Sequence, residues 1–478
     1  MNITFIGTGY VGLVSGIMMS YLGHNVTCLD TDTQKIAQLK NNILPIYEPK
    51  LEQYLAPLIE SGRLKFTDTY NSDLHSSEAV FITVGTPPLP SGEADLQYIF
   101  RAIDSFSHWI NQDCLIIIKS TVPPTTCNQI ITYLHKKNLH FPIASNPEFL
   151  REGSAVDDFL NPDRIVIGTN SKAAEDLLRE VYLPLTTKNA KIVSTDLVTA
   201  ELTKYASNSF LATKIAFTNE MANLCEQTGA NIKELTLAMG MDNRIGKEFL
   251  NAGPGFGGSC FPKDLLALAQ VAQNFHTECQ IIESVINSNN QRPYDMVKKI
   301  YAIINNSSIA KHIDIAQLQT SATLCGHKGQ LQGIKYNLPA EINFSNKTIA
   351  VLGLTFKAGT DDIRSSAAIK IIKILLDREA RIQTFDPMGM LHTKKYLEAL
   401  NYKNIFFATT ALKTCQNSDV ILITTEWPEF KTLAWETVKT QAKNPIIIDL
   451  RNILDGDHLK SIGFSYHCIG HGKEFKEI

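Results

Sequence analysis

Met1-Asn-Ile-Thr-Phe-Ile-Gly-Thr-Gly-Tyr-Val-Gly12 opens the chain, and its reading decides the fold. Ile3–Ile6 is a short apolar run. Gly7, Gly9 and Gly12 then fit the spacing GxGxxG, and Val11–Leu22 is compatible with a helix. A second apolar run, Asn25–Leu29, ends at Asp30. Glycines cluster in many turns, but strand, glycine turn, helix, strand and acid in this order form a dinucleotide-binding fingerprint. Gly7 permits the tight turn, Gly9 lets backbone approach a pyrophosphate, and Gly12 allows close packing of helix on strand. The pyrophosphate is expected on the helix N-terminus, with Tyr10 and Val11 beside it as cofactor contacts. Asp30 can accept bonds from both ribose hydroxyls and repels a 2′-phosphate, which favours NAD over NADP; Lys35 nearby softens that preference.

Outward from this unit, apolar runs alternate with helical patterns. Leu64–Thr67, Ala79–Val84, Cys114–Lys119, Phe141–Ser145 and Arg164–Ile167 are expected strands. Such alternation implies a mainly parallel sheet with helices on both faces. Ser194-Thr195-Asp196 offers N-caps for a long helix over about 197–228, with Gly229 as its C-terminal stop. More helix follows through Gln291, broken by a glycine run at 253–258. From Thr348 the alternation resumes with Thr348–Leu352, Arg381–Phe385, Val420–Thr424 and Ile446–Leu450. The expected fold class is α/β: two Rossmann-like doubly wound domains joined by a central helical domain with one long helix. The boundaries read as 1–196, 197–300, a linker or insertion over 301–345, and 346–478. Within the third of these, about 304–344 is polar and aperiodic, either a mobile loop or a local insertion.

The 478 residues are 44% apolar and 19% charged, with net charge −3. That balance suits a soluble protein with large cores, and it lacks the basic field that nucleic acid or an anionic membrane would call for. Apolar runs such as Leu115–Ile118 are too short to span a bilayer, and the N-terminus lacks the features of a signal peptide. Nine scattered cysteines without a CxxC pair suggest reduced thiols in the cytoplasm and no zinc site. Cys28, Cys114 and Cys225 lie in apolar or helical contexts and read as packing residues.

One cysteine stands apart. Gly253-Pro-Gly-Phe-Gly-Gly-Ser-Cys-Phe-Pro-Lys-Asp264 places Cys260 after a glycine run and before a helix whose first turn holds Pro262. A helix N-terminus and the nearby Lys263 both favour a thiolate. Asp264, one helical turn on, is brought to the thiol's side. A thiol with a carboxylate beside it suits covalent catalysis followed by activation of water; the alternative is a buried cysteine next to a glycine turn.

Taken together these loops resemble the UDP-glucose/GDP-mannose dehydrogenase family. The resemblance runs along nearly the whole chain, through Val84-Gly-Thr-Pro87, Lys119-Ser-Thr-Val122, Asn146-Pro-Glu-Phe-Leu-Arg-Glu-Gly153 and Leu202-Thr-Lys-Tyr-Ala-Ser-Asn208. It continues through Gly255–Asp264, Leu352-Gly-Leu-Thr-Phe-Lys357, Thr360-Asp-Asp-Ile-Arg364 and Asp449-Leu-Arg451. It implies oxidation of a sugar C6 alcohol to a carboxylate in two hydride transfers to NAD, through a thiohemiacetal and a thioester on Cys260. Lys204 and Asn208, four apart on the long helix, would face C6. Glu148 resembles the acid/base carboxylate, and Asp264 and Thr121 would order water. Phe149, Leu150, Arg151, Phe249, Asn251, Gly257, Lys357 and Arg451 resemble contacts to the nucleotide sugar. Arg244 resembles a residue that reaches a neighbouring subunit's site, which implies a homodimer or larger oligomer. Val84, Thr86, Ser120, Glu152, Lys263 and Arg364 resemble cofactor contacts. The loop Gly253–Gly258 is closest to the UDP-glucose branch, making UDP-glucose the implied substrate and polysaccharide synthesis the implied destination of the product. GDP-mannose, a UDP-N-acetylhexosamine, or a role as a non-catalytic binding protein are the alternatives. Two departures stand out: the long polar 304–344 stretch, and Lys50 where the family often has glycine.

Overall fold

The structure is a computed structural model that describes residues 1–305 and 336–472. Most of the polar stretch at 304–344 therefore lies outside the described residues. The chain forms two compact units. One comprises residues 1–208 with 266–277, the other residues 209–265 with the chain from Glu278 on.

The first unit is built on eight strands: β1 Asn2–Ile6, β2 Asn25–Leu29, β3 Leu64–Thr67, β4 Ala79–Ile82, β5 Leu115–Ile118, β6 Ile143–Ser145, β7 Ile165–Gly168 and β8 Ile192–Thr195. Their order is β3-β2-β1-β4-β5-β6-β7-β8, the doubly wound arrangement extended by two strands, with β6 and β7 antiparallel. Period-2 alternation sends Leu115 and Ile117 of β5 into one core with Ile3 and Phe5, and Ile116 and Ile118 into the other with Ile6 and Ile82. Strands buried on both faces explain why these runs are continuously apolar.

The second unit carries β9 Thr348–Leu352, β10 Arg381–Phe385, β11 Ile405–Phe407, β12 Val420–Ile423, β13 Ile446–Asp449 and β14 Ser465–Cys468. The order β11-β10-β9-β12-β13-β14 is doubly wound and parallel throughout. Both halves are thus Rossmann-like, and their switch points fall between β1 and β4 and between β9 and β12.

The long helix runs Leu197–Thr228, and the boundary between the units falls inside it. Its cap differs from expectation. Ser194 and Thr195 belong to β8, and Asp196 alone caps the helix, accepting Thr199 N at 2.9 Å and Thr199 Oγ1 at 2.6 Å. Gly229 closes the far end with φ +85°, its N–H bonding Cys225 O at 2.9 Å. Helices Ile232–Gly240, Phe261–Asn274 and Gln280–Asn305 follow. No helix among the described residues is long and apolar enough to cross a membrane.

Candidate active site

Gly7 and Gly12 make the turn and the close packing that their spacing implies. Gly7 has φ +97°, and a Cβ there would meet Val84 N at 3.0 Å. At Gly12 a Cβ would fall 1.9 Å from Gly7 O, so only glycine lets the helix seat on β1. Gly9 faces open space within 4 Å and heads the helix Tyr10–Tyr21 without a side-chain cap. The first N–H groups of that helix are left for an anion. Across the switch point, Ser120 Oγ donates to Val84 O at 2.7 Å and Thr86 Oγ1 to Thr121 O at 2.8 Å. The expected strand-end residues Val84, Thr86 and Ser120 are therefore tied across β4 and β5, Thr86 through the carbonyl of Thr121.

Asp30 is more committed than its sequence position suggests. Its Oδ2 accepts Thr8 N at 2.7 Å, Thr8 Oγ1 at 2.8 Å and Lys35 Nζ at 3.0 Å. Oδ1 takes Asp32 N at 3.0 Å and keeps a lone pair for one ribose hydroxyl. Burial works to raise the Asp30 pKa, but the bonds from Asp32, Lys35 and Thr8 outweigh it and hold the carboxyl below its ordinary value. These residues fit a dinucleotide: open backbone for the pyrophosphate, an ionised acid for the ribose.

At the end of β6 the chain turns through Asn146 to Glu148. Glu148 Oε2 accepts Leu150 N at 2.6 Å, and Oε1 accepts Lys204 Nζ at 2.8 Å. The two charged side chains are only 5% and 4% exposed. Burial pushes the Glu148 pKa up, yet the Lys204 charge and hydrogen bond, the Leu150 N–H and the Lys119 charge bring it below the usual carboxylate range. Asn208, one turn beyond Lys204, is buried as well. The Lys204–Asn208 face of the helix is therefore internal, although such a pair on a helix ordinarily faces solvent. Phe149 lies under two cations, Arg164 at 3.5 Å and Lys204 at 5.4 Å from its ring centre. Arg151 is tied to Asp158 at 2.6 Å.

The second unit carries the thiol loop. Helix Phe261–Asn274 starts one residue after Cys260, and Asp264 N bonds Cys260 O at 3.0 Å, so the expected one-turn spacing holds. Cys260 is partly exposed and Ser259 Oγ lies 3.6 Å from its sulfur. Asp264 is fully buried and pairs with Lys263 at 2.5 Å. The glycines before Cys260 are required mainly by protein neighbours. A Cβ at Gly257 would strike Ser365 O at 2.5 Å, and one at Gly258, whose φ is +84°, would strike the Phe356 ring at 2.9 Å. Phe249 has φ +64° and its ring centre is 6.0 Å from that of Phe261. Arg451 donates to Thr424 O and Phe356 O, both at 2.9 Å, and would sit 3.4 Å from a Cβ on Gly253. The Lys357 ammonium lies 5.6 Å from the Phe356 ring centre. Arg244 and Arg364, side chains 89% and 63% exposed, each pair with the aspartate two residues earlier.

Several residues that shape these loops went unread in the sequence. Buried Glu48 accepts Tyr10 OH, Gly153 N at 2.7 Å and Ala155 N at 2.7 Å, and so ties the glycine helix to the loop after Glu148. Burial and that carboxylate push the Tyr10 phenol far up. Glu201, one turn before Lys204, accepts Thr125 N and Cys127 N, both at 2.7 Å; its place on the Lys204 face was the available signal. In the second unit Asn219 Oδ1 takes Gly253 N at 2.8 Å, Asn289 bonds both N and O of Phe256, and Arg292 Nε donates to Gly253 O at 3.0 Å. These long-range braces have no local sequence signature. Among the described residues no cluster of His, Cys, Asp or Glu could hold a metal, and no two described cysteines form a disulfide; Cys28, Cys114 and Cys225 are buried.

Rossmann sheets, an uncapped glycine helix and a buried Lys–Glu pair define an NAD-dependent dehydrogenase. Family comparison narrows the class. The NAD binding domain of the UDP-glucose/GDP-mannose dehydrogenase family matches residues 1–186, its central domain 198–291 and its UDP binding domain 350–456. The UDP-glucose 6-dehydrogenase of Rickettsia felis is 55% identical over 98% of this chain and 96% of its own. The structure of a UDP-glucose dehydrogenase from Pyrobaculum islandicum superposes with a TM-score of 0.79 at 31% identity, covering 97% of this chain and 98% of that one. A UDP-D-ManNAc dehydrogenase from Pyrococcus horikoshii gives 0.77 at 28% identity, covering 99% and 100%. The chain belongs to the UDP-glucose/GDP-mannose dehydrogenase family.

Proposed function

We propose that the protein oxidises UDP-glucose to UDP-glucuronate by four electrons. The observation that carries this reading is a partly exposed Cys260 at the head of a helix with a buried Asp264 one turn on, which equips a dehydrogenase to hold its aldehyde covalently. The Rickettsia felis relative supports the choice of sugar. Bound on the glycine loop, NAD accepts a hydride in each of the two oxidations.

Lys204 takes the C6 hydroxyl proton as the first hydride leaves, with Glu148 as its acid/base partner and Asn208 donating to the oxygen. Cys260 Sγ then adds to the aldehyde carbon. Loss of the second hydride turns that thiohemiacetal into a thioester, and water ordered by Asp264 and Thr121 cleaves it to carboxylate and free thiol. The segments divide this work: 1–196 for the cofactor, 197–300 for the catalytic helices, 346–478 for the nucleotide sugar, which Arg151, Lys357 and Arg451 help to hold. Phe210, Phe217 and Leu224, 67%, 44% and 53% exposed, recur at seven-residue spacing on the long helix and support a homodimer. Cysteines without disulfides among the described residues support a cytoplasmic location.

Progress curves with limiting UDP-glucose should give two NADH per sugar, and one NADH would overturn the reading. C260A should lose about a thousandfold or more in kcat. Among UDP-glucose, UDP-N-acetylmannosamine and GDP-mannose, the first should have the highest kcat/KM.

A further inference from the structure

Lys119 follows the last residue of β5 and is fully buried, 5% exposed. Its ammonium donates to two neutral acceptors, Asn146 Oδ1 at 3.1 Å and the Tyr182 phenol at 3.4 Å. Tyr182 OH in turn donates to Asn146 Oδ1 at 2.5 Å, and Asn146 Nδ2 to Val166 O at 2.8 Å. Among the described residues Lys119 has no carboxylate within ion-pair distance. An ammonium buried against neutral groups alone is costly, and its retention calls for a reason.

The second sheet shows that the fold does not need this charge. Lys119 N bonds Ile82 O at 3.0 Å, just beyond the register pair Ile82–Ile118. In the second sheet Leu450 N bonds Ile423 O, also at 3.0 Å, just beyond the pair Ile423–Asp449. The same place in the same topology is filled by a fully buried leucine. What differs is the company. The Asn146 side chain that holds the Lys119 ammonium lies two residues before Glu148, which is itself paired with Lys204 at 2.8 Å, so the three buried charges share one corner of the first unit.

We infer that Lys119 is a positioning residue for the proposed oxidation: its buried charge, held on Asn146 and Tyr182, keeps Glu148 ionised and eases release of a proton from Lys204. This rests on the reading in which Lys204 accepts the C6 hydroxyl proton. The groups facing Lys119 are Asn146 and Glu148 from the loop after β6, Tyr182 at the end of helix Lys172–Val181, and Lys204 from the long helix. A like charge near Lys204 disfavours its protonated form, whereas Glu148 alone would favour it. Burial pulls the Lys119 pKa down to about 8, with the Glu148 charge opposing and the Lys204 charge assisting. The ammonium therefore persists at neutral pH, where it can act.

The test measures kcat and KM for UDP-glucose against pH for the wild type, K119M, N146D and Y182F, with a melting curve for each. K119M should move the limb on which kcat rises with pH upward by about one unit, so kcat near pH 7 falls roughly tenfold while KM changes less than about twofold. N146D keeps the lysine but sets a carboxylate against its ammonium, and should shift the limb the same way. Y182F removes a hydrogen bond without changing charge and should leave the limb in place. A limb unmoved in both K119M and N146D overturns the inference, as does a Y182F shift equal to that of K119M. If K119M fails to fold, N146D decides. A wild type that yields no NADH from UDP-glucose instead refutes the underlying reading.

Discussion

The two Rossmann sheets share their wiring around the switch point and part at one aspartate. Gly7 directly follows β1 with φ +97° and Gly353 directly follows β9 with φ +104°. Thr83 Oγ1 donates to Gly7 O at 2.7 Å, and Thr424 Oγ1 to Gly353 O at 2.7 Å. The residue after each glycine gives its N–H to an aspartate beyond the neighbouring strand, Thr8 to Asp30 at 2.7 Å and Leu354 to Asp386 at 2.6 Å. From there the two diverge. Asp30 keeps an oxygen facing outward and a helix begins at Tyr10. Asp386 is buried and accepts from Leu354 N, Thr355 N, Thr355 Oγ1, Met388 N, Gly389 N and Trp427 Nε1. The next helix of the second sheet starts only at Ala367. The second sheet uses its acid to staple its own loops, whereas the first leaves the equivalent acid partly exposed beside a helix N-terminus, as the proposed ribose contact needs. Topology alone thus does not say which sheet takes the dinucleotide; the glycine spacing and the less crowded acid favour the first.

The largest expected effect follows from that staple. D386A removes the acceptor of six donors, of which Trp427 Nε1 keeps Thr355 Oγ1 at 3.2 Å, and should destabilise the second unit by about 3 kcal/mol or more. Differential scanning calorimetry should show its transition falling by roughly 6–12 °C, with KM for NAD in the remaining folded protein nearly unchanged. A raised KM for NAD with no loss of melting temperature would erase the distinction between the sheets.

The next effect concerns the Lys119 and Leu450 positions and has the opposite sign. The folded-state pKa of Lys119, about 8, lies below its ordinary 10.5. Between those values the unfolded chain binds the proton more readily, so the wild type gains stability as pH rises through that window and carries the full penalty below about pH 8. K119M removes the penalty. At pH 7 it should be more stable than wild type by on the order of 2 kcal/mol, and the gap should close as pH climbs from 8 to 10.5. Urea titrations at pH 7 and pH 10 measure both; a K119M that is less stable at pH 7 would mean the lysine is a structural requirement after all.

The same contrasts explain what could be read in the sequence. Strands of the sheet interiors, such as Leu115–Ile118 and Val420–Ile423, were legible because burial on both faces leaves an unbroken apolar run. β8, β11 and β14 were missed, and all three lie at sheet edges, where Ile192-Val-Ser-Thr195 is half exposed and reads as a polar lead into a helix. The glycine loop and Asp30 were legible because their chemistry is a matter of short spacing. Cys260 and Asp264 were legible for the same reason. Lys204, Asn208 and Glu148 needed the family resemblance. Nothing in spacing could reveal that Tyr182 would meet Asn146, or Glu48 meet Ala155, since those contacts are made by the folded sheet and not by neighbouring residues.

The smallest expected effect is at Asp30 itself, and it is the sharpest test of the comparison. One oxygen already takes three donors, so a bound ribose has a single hydroxyl-accepting position on the other. A single charge-assisted hydrogen bond is worth about 1.5–3 kcal/mol, and competition from Lys35 at 3.0 Å places the loss near the lower end. D30A should therefore raise KM for NAD by about tenfold and not by thousands, and should narrow the preference for NAD over NADP because the carboxylate no longer repels a 2′-phosphate. Its melting temperature should drop less than that of D386A, since Asp30 is the more exposed acid with fewer donors and its exposed partner Asp32 can turn to water, leaving Thr8 as the buried loss. Steady-state kinetics with both cofactors, paired with melting curves of D30A and D386A, read the two aspartates against each other. Equal melting losses, or a cofactor preference untouched in D30A, would show that the first sheet uses its acid as the second does, for its own architecture.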